Sequence, residues 1–471
     1  MLFNSITYAI FLPVVLGLYW ALRHRQQNVL LLIASYIFYG AWDYRFLALI
    51  WISTLIDFIV GILLGRTDDE AQRKRMFLIS VAANLTILGF FKYFGFFVDS
   101  FVSLVGNFGL RPNVALFEIL LPVGISFYTF QSLSYGFDVY RRRMEPTKSL
   151  LNFATFVAYF PQLVAGPIER AAALLPQIER ERTRPSAEQF RSGLFMILMG
   201  LFKKVAIADA VAPIANDAFG NAGEVSSATL VLGVLAFSLQ IYGDFSGYSD
   251  IARGSSRLFG IELMRNFEQP YLSRSITEFW RTWHISLSSW LHDYLYVPLG
   301  GNKGGKWLTY RNLMLTMLLG GLWHGANWTF VVWGGMHGLL LALHRAIGGY
   351  VPRGRPPVPR LRDVPAVLTT FISVALLWIF FRADSLTDAW NYFGGLLAWR
   401  PGPADVDSVM VIAFSVFWVL VIDVSQRITA DHAVIARRWH PIPRGMAYAV
   451  MFLAVVMWSG GAAQQFIYFQ F

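Results

Sequence analysis

Apolar segments of membrane-spanning length recur along the whole of this 471-residue chain. A helix that crosses a lipid bilayer needs about 20 mostly apolar residues. The candidate segments lie at residues 5–22, 28–41, 45–64, 77–97, 115–134, 150–166, 193–214, 228–243, 310–322, 328–347, 364–383, 408–426 and 446–463. Segments 28–41 and 310–322 are too short to cross alone, and we expect them to be tilted, re-entrant or paired inside the protein. The pattern predicts an all-α polytopic membrane protein with about 11 full crossings plus re-entrant and interfacial helices.

The composition agrees with a membrane protein. Charged residues make up only 14% of the chain, whereas soluble domains carry about 25%. The absence of cysteine excludes thiolate catalysis, thiolate metal sites and disulfides. The net charge of +10 fits basic cytoplasmic loops, and a basic route for an anionic substrate is the alternative interpretation. Because the basic residues are scattered over short loops, nucleic acid is not an expected partner.

The chain shows no internal repeat, and we predict a single transmembrane domain over residues 1–471. Within it we distinguish N-terminal helices at 1–134, a core at 135–347 and C-terminal helices at 364–463. Residues 169–191 are more polar and predict amphipathic helices at the cytoplasmic interface. The first 20 residues lack a basic n-region and a small-residue cleavage site, so we interpret them as the first span.

Clusters of basic residues indicate which loops face the cytoplasm. By the positive-inside rule the cytoplasmic loops are those at 23–25, 73–75, 141–143, 353–362 and 437–438. The spans between these loops then alternate consistently. This orientation predicts both termini outside the cytoplasm, and it turns the aspartate-containing segment 384–407 outward as well.

Two histidines in apolar surroundings are the leading candidates for chemistry. His324 lies in the glycine- and tryptophan-containing stretch 320–329, and His284 lies in the aromatic stretch 279–287. Polar groups at membrane depth are rare and are functional candidates by default. A histidine held in a helix bundle for structural reasons is the alternative, and it is a stronger alternative for His284 than for His324.

The region around His284 predicts a helix over residues 278–296 with one large apolar face. His284, Ser288 and His292 then fall four residues apart on a neighbouring face. Histidines at i and i+4 can bind zinc, but a separation of eight residues spans two turns. Since no His-Glu-x-x-His motif and no carboxylate cluster accompanies them, no metal site is expected.

Three further motifs are weaker. Residues 300–307 nearly match a phosphate-binding P-loop, but Trp307 stands where Ser or Thr must hold magnesium, so we exclude ATP binding. A contact with a carrier's phosphates and a simple turn both remain open for this loop. Asp244, in the polar patch 240–250, needs a partner and would orient a histidine or hold a helix break. His337 lies among glycines that favour close helix packing. No Gly-x-Ser-x-Gly motif supports a serine esterase.

Several of these motifs together resemble the membrane-bound O-acyltransferase family, and within it the bacterial branch of alginate O-acetyltransferase membrane proteins. The motifs lie at residues 121–131, 160–168, 242–250, 279–284, 293–301, 322–328 and 466–471. The resemblance implies a ring of helices with a thinned centre. The family's near-invariant histidine falls on His324, and its second polar position falls on His284. His292 departs from the branch, which usually has arginine there.

The resemblance further implies a reaction and its participants. The donor substrate would be cytoplasmic acetyl-CoA, with no bound cofactor, and the membrane would be the bacterial inner membrane. His324 would deprotonate the acceptor hydroxyl or a relay group, while His284 would bind the thioester carbonyl or steady the donor. Further candidates for substrate or donor binding are Asp244, Trp283, Ser288, Asp293, Trp323 and Asn327. A periplasmic esterase-like partner would complete transfer to a polysaccharide, with alginate as the first choice.

Two alternatives remain open from the sequence. Within the same family, D-alanyl or other acyl transfer to a cell-wall polymer would use a different donor. Outside the enzymes, a proton-coupled transporter would use the histidines as a proton relay.

Overall fold

The computed structural model describes residues 1–109, 119–349, 351, 354, 356–459 and 466–467. Across these ranges the regular elements are helices and no strand occurs, which confirms the all-α prediction. The starts of the predicted span 115–134 and of the basic loop 353–362, and the end of the 466–471 motif, lie outside the described residues. The chain divides into two compact units, Met1–Pro185 with Ser256–Leu263, and Ser186–Ser255 with Met264–Phe471. The single transmembrane domain stays a prediction.

The first unit is built from nine α-helices within its described residues. They are α1 Ile6–Ala21, α2 His24–Asp43, α3 Leu47–Leu64, α4 Glu70–Leu88, α5 Phe94–Gly106, α6 Ile125–Tyr140, α7 Leu150–Ala158, α8 Phe160–Leu163 and α9 Ala171–Glu179. A π-helical stretch, Gly89–Tyr93, joins α4 to α5. The interior holds a buried carboxylate, Asp57, whose oxygens accept hydrogen bonds from the Asn84 amide at 3.0 Å. Such bonds offset the cost of burying a polar group.

The remaining α-helices belong wholly or mainly to the second unit. They are α10 Ala187–Leu201, α11 Ala210–Gly220, α12 Ser227–Leu258, α13 Ile276–Thr282, α14 Ile285–Leu291, α15 Lys306–His324, α16 Trp328–Ala346, α17 Val364–Arg382, α18 Leu386–Leu397, α19 Val406–Thr429, α20 Val434–Arg438 and α21 Pro441–Trp458. The last three residues of α12 fall in the first unit. π-helical stretches at Phe202–Asp209 and His292–Tyr296 interrupt the regular winding.

Six helical stretches in the described part of the chain are long and apolar enough to cross a membrane. They are His24–Leu64, Glu70–Gly106, Ser227–Leu258, Leu361–Arg382, Val406–Thr429 and Pro441–Trp458. A multi-pass membrane protein is thereby confirmed, whereas the count of about 11 crossings and the ring arrangement stay predictions.

Two of the predicted segments are longer than the apolar pattern indicated. The segment at 28–41 belongs to α2, a helix of 20 residues, and the segment at 310–322 belongs to α15, a helix of 19 residues. Each helix continues through polar residues beyond the apolar segment. Arg, Lys and Gln have high helix propensity, so both helices extend beyond their apolar segments. α15 is not among the six stretches named above, so the tilted, re-entrant or paired placement of these segments stays a prediction.

The polar region 169–191 is only partly helical. α9 covers Ala171–Glu179, an irregular stretch follows, and α10 starts at Ala187 with a Ser186 cap. α9 buries Leu174, Leu175 and Ile178, as expected of an amphipathic helix. Its location at the cytoplasmic interface stays a prediction.

The antiparallel pair α15 and α16 is packed through glycines. A side-chain carbon added at Gly321 would overlap the backbone carbonyl of Phe330, and one added at Gly334 would overlap that of Met317. Only glycine permits this approach of two backbones. The pair brings His324, at the end of α15, and His337, in the middle of α16, into the same interior, which confirms the packing predicted for the glycines around His337.

Candidate active site

His284 lies at a break between two short helices. α13 ends at Thr282 and α14 begins at Ile285, so the continuous helix predicted over 278–296 was wrong. The backbone of His284 is left-handed, with φ 42° and ψ 55°. This conformation costs an L-residue roughly 1–2 kcal/mol. Strained residues persist where the surroundings over-determine them, and they cluster at functional sites.

Hydrogen bonds to neighbouring groups hold this break in place. The Ser288 hydroxyl donates to the carbonyl of Trp283 at 3.0 Å. The Ile285 amide donates to the backbone carbonyl of Asn266 at 2.8 Å. The Asn266 side-chain oxygen accepts from the Ser286 amide at 3.2 Å and from the Ser286 hydroxyl at 2.9 Å. The break is therefore a fixed feature of the fold, and Ser288, predicted to bind substrate or donor, supports it.

The break brings His284 next to His324. Their ring centroids lie 6.3 Å apart with an angle of 61° between the ring planes. Both side chains are buried. Trp323 lies against both rings, at 5.8 Å from His284 and 5.0 Å from His324. The two histidines singled out in the sequence thus share one site, and Trp323 contacts both of them.

The pKa of His284 favours its neutral form. His284 lies between α13 and α14, outside the six long apolar helices. Burial lowers the pKa of this imidazole to about 3, because desolvation penalises the charged ring. A neutral imidazole has one nitrogen that donates and one that accepts, which suits proton chemistry at neutral pH.

Aromatic rings surround the two histidines. The ring of Phe245 lies 4.6 Å from that of His284. Trp333 and Phe381 lie 5.1 Å and 5.3 Å from His324. These rings exclude water and lower the local dielectric, which strengthens any electrostatic interaction with a bound substrate. Trp328, in the stretch 320–329, is 53% exposed, so it does not belong to this surround.

The remaining candidates for substrate or donor binding make structural contacts. Asp244 pairs with Lys204 at 2.9 Å, and its other oxygen accepts the Ile467 amide at 2.8 Å. Asn327 caps α16 by accepting the Thr329 amide, and it donates to the Asp384 carbonyl at 2.9 Å. Trp283 is fully buried and packs on Trp378 and Phe279. Any additional role of these residues in binding stays a prediction.

The other histidines of this region are separated from the pair. His292 is exposed and lies 2.6 Å from Asp293, so it does not share a face with His284. The reason is that the helical break rotates the two positions apart. His337 is fully buried and accepts a hydrogen bond from the Trp280 indole at 3.2 Å. Trp333 lies between His324 and His337, with centroid distances of 5.1 Å and 4.8 Å.

Several residues of the site carried no usable signal in the sequence. Asn266 and Phe245 contact His284, yet neither stands in a recognisable spacing to it. The buried ion pairs Lys203–Asp250 and Lys204–Asp244 were also missed. Lysines inside the apolar segment 193–214 were a detectable signal, because a charge at that depth requires a partner.

Comparison with known proteins gives a consistent family assignment. Residues 143–366 match the membrane-bound O-acyltransferase family. The chain is 45% identical to a probable alginate O-acetylase of Pseudomonas aeruginosa over 84% of this chain and 75% of that protein. It is 46% identical to a probable alginate O-acetylase of Azotobacter vinelandii over 84% and 78%. It is 36% identical to a peptidoglycan O-acetyltransferase of Helicobacter pylori over 84% and 80%. His284 and His324 both lie within the matched region.

Proposed function

This chain belongs to the membrane-bound O-acyltransferase family and is an O-acetyltransferase, and we propose that it passes acetyl groups from cytoplasmic acetyl-CoA to an extracytoplasmic polysaccharide. The observation that carries the proposal is the buried pair His284 and His324, 6.3 Å apart inside an aromatic surround. Alginate is the first choice of acceptor, because the relatives at 45–46% identity are named for it.

In this proposal His324 is the general base. Its neutral imidazole takes the proton from the attacking hydroxyl, whose oxygen forms a bond to the thioester carbonyl carbon. The bond from that carbon to sulfur then breaks, and the imidazolium returns the proton to the departing thiolate. General-base assistance of this kind contributes about 10² to 10⁴ in rate. The buried surroundings of His324 favour the chemistry, because water cannot compete for the acetyl group.

His284 steadies the donor at its thioester end, on the other side of the reacting carbon. The centroids of the two imidazole rings lie 6.3 Å apart, close enough for both side chains to contact one thioester group. Trp323 forms part of the wall of this site, because it contacts both imidazoles.

The proposed setting is the bacterial inner membrane, with both termini in the periplasm. Basic cytoplasmic loops would attract the phosphates of coenzyme A by long-range electrostatics. The acetyl group would leave on the periplasmic side, where an esterase-like partner would complete transfer to the polysaccharide. Direct transfer to the acceptor is the alternative, and peptidoglycan is the second choice of acceptor because a 36% identical relative is named for it.

A turnover experiment with labelled donor tests the proposal. Purified protein in liposomes receives acetyl-labelled coenzyme A together with an alginate oligosaccharide as the hydroxyl acceptor, beside His324→Ala and the matched control His440→Ala, an exposed histidine in front of α21. We expect loss of label from the donor in the wild type and in His440→Ala, and none in His324→Ala. Equal rates in all three proteins would contradict the role of His324. Turnover with a D-alanyl carrier instead of acetyl-CoA would establish the alternative acyl transfer.

A further inference from the structure

Asn266 contacts all three residues of the turn at positions 284–286. It is 2% exposed. Its backbone carbonyl accepts the Ile285 amide at 2.8 Å. Its side-chain oxygen lies 3.1 Å from Nδ1 of His284, 3.2 Å from the Ser286 amide and 2.9 Å from the Ser286 hydroxyl. On the other side, its Nδ2 donates to the hydroxyl of Ser249 at 3.2 Å.

The orientation of the Asn266 amide follows from one of these contacts. A backbone N–H donates and cannot accept, so the atom of Asn266 that faces the Ser286 amide must be oxygen. The same oxygen faces Nδ1 of His284. Two acceptors form no hydrogen bond with each other, so Nδ1 must carry the proton. In a neutral imidazole the lone pair then lies on Nε2.

The nearby serine hydroxyl leads to the same tautomer. The oxygen of Ser286 lies 3.4 Å from Nδ1 of His284. Its hydrogen is already directed to Asn266, at 2.9 Å. Toward the ring this hydroxyl can therefore only accept, which agrees with the proton on Nδ1.

We propose that Asn266 is a positioning residue that fixes the proton of His284 on Nδ1, so that Nε2 meets the reacting groups as a hydrogen-bond acceptor. This inference rests on the proposed acetyl transfer and makes it more specific. A neutral His284 held in this way cannot donate to the thioester oxygen. It can accept a hydrogen bond from an O–H or N–H group of the donor or acceptor. Partners of this kind fix tautomer and ring orientation in other histidine sites.

The surroundings of His284 hold few groups that would titrate with it. The ionisable side chain whose ring faces it is His324, on α15. α12 contributes Phe245 and Ser249 to this corner, and its nearby carboxylates, Asp244 and Asp250, are paired with Lys204 and Lys203. Burial lowers the pKa of His284 and so favours the neutral ring on which the tautomer depends.

Substitutions at Asn266 test the inference through the pH profile. Asn266→Asp keeps the acceptor and adds a negative charge, which raises the pKa of His284 by roughly 1 to 3 units. We expect the acid limb of kcat/KM to move to higher pH by a similar amount. Asn266→Leu keeps the size and removes the acceptor, and we expect kcat to fall about 10- to 100-fold with little change in KM. The matched control Ser249→Ala removes only the bond to Nδ2 and should leave the profile unshifted.

Two results of the pH-profile experiment would overturn the inference. If His284 acted as a charged donor, Asn266→Asp would extend activity to higher pH on the alkaline limb and would leave the acid limb in place, and the inference would be overturned. An Asp variant with the wild-type profile would overturn it as well. If Asn266→Leu does not fold, the Asp variant decides alone.

A spectroscopic measurement needs no turnover. Protein with ¹⁵N-labelled histidine in lipid gives ring nitrogen signals that differ between the two neutral tautomers, and His284→Gln identifies the signals of His284 by their loss. We expect the form protonated on Nδ1. The form protonated on Nε2 would overturn the inference even if acetyl transfer is confirmed. The expected tautomer in a protein that does not turn over acetyl-CoA would refute the proposed donor and leave the assignment of Asn266 standing.

Discussion

Gly321 on α15 lies directly against Phe330 on α16, so close that a side-chain carbon at Gly321 would overlap the Phe330 backbone. Three residues after Gly321 the helix ends at His324. The position of the candidate base is therefore set by the contact between two backbones. At Gly321 the neighbouring atoms belong to the backbone of Phe330, which cannot move aside as a flexible side chain can.

We expect Gly321→Ala to destabilise the α15–α16 pair and to lower activity. Forcing an extra carbon into a packed interior costs about 1–3 kcal/mol, and here the neighbour is backbone. Thermal unfolding in detergent and acetyl-CoA turnover would measure both effects. Gly17→Ala is the matched control, since a side-chain carbon there meets nothing within 4 Å. A Gly321→Ala protein with wild-type stability and rate would show that the helix pair tolerates separation.

The left-handed backbone of His284 allows the contribution of its imidazole to activity to be separated from the contribution of the residue to stability. Asn and His adopt the left-handed conformation more readily than most other non-glycine residues. His284→Asn therefore removes the imidazole with little change in backbone strain, whereas His284→Ala removes the ring and leaves a residue that tolerates this conformation less well. We expect both variants to lose most activity and only the alanine variant to lose stability as well. Comparing turnover with thermal unfolding checks this. Full activity in either variant would assign His284 to the scaffold.

Much of the molecule was predictable because apolar length and aromatic motifs are local features. The helical class, the pairing of His324 with His284 as candidates, and the glycine packing around His337 followed from them. The break at His284 was not predictable, because the sequence there has the spacing of a continuous helix and the break depends on Asn266. His284 is contacted by Phe245 on α12 and by Asn266 in the chain before α13. No sequence spacing rule connects such positions. The same holds for Lys203 and Asp250.

The buried pair of Lys203 and Asp250 gives a prediction about stability. Their charged groups lie 2.8 Å apart, and both side chains are 6% exposed. We expect Lys203→Met to cost about 3–5 kcal/mol, because it leaves a buried carboxylate that has lost its main partner. The double variant Lys203→Met/Asp250→Leu should lose less than the two single changes together, since no lone carboxylate remains. Denaturation in detergent measures all three. Strict additivity would show that the two groups do not interact in the folded protein.

The predicted orientation can be tested with single cysteines, because the chain contains none. Glu145→Cys lies in the exposed stretch after α6, next to the basic residues at 141–143, and Asp407→Cys lies in the exposed first turn of α19. By the positive-inside rule the first should face the cytoplasm and the second the periplasm. In intact cells an impermeant thiol reagent should therefore label Asp407→Cys and spare Glu145→Cys until the membrane is opened. The reverse pattern would place the basic loops outside, and the proposed entry of acetyl-CoA from the cytoplasm would fail with it.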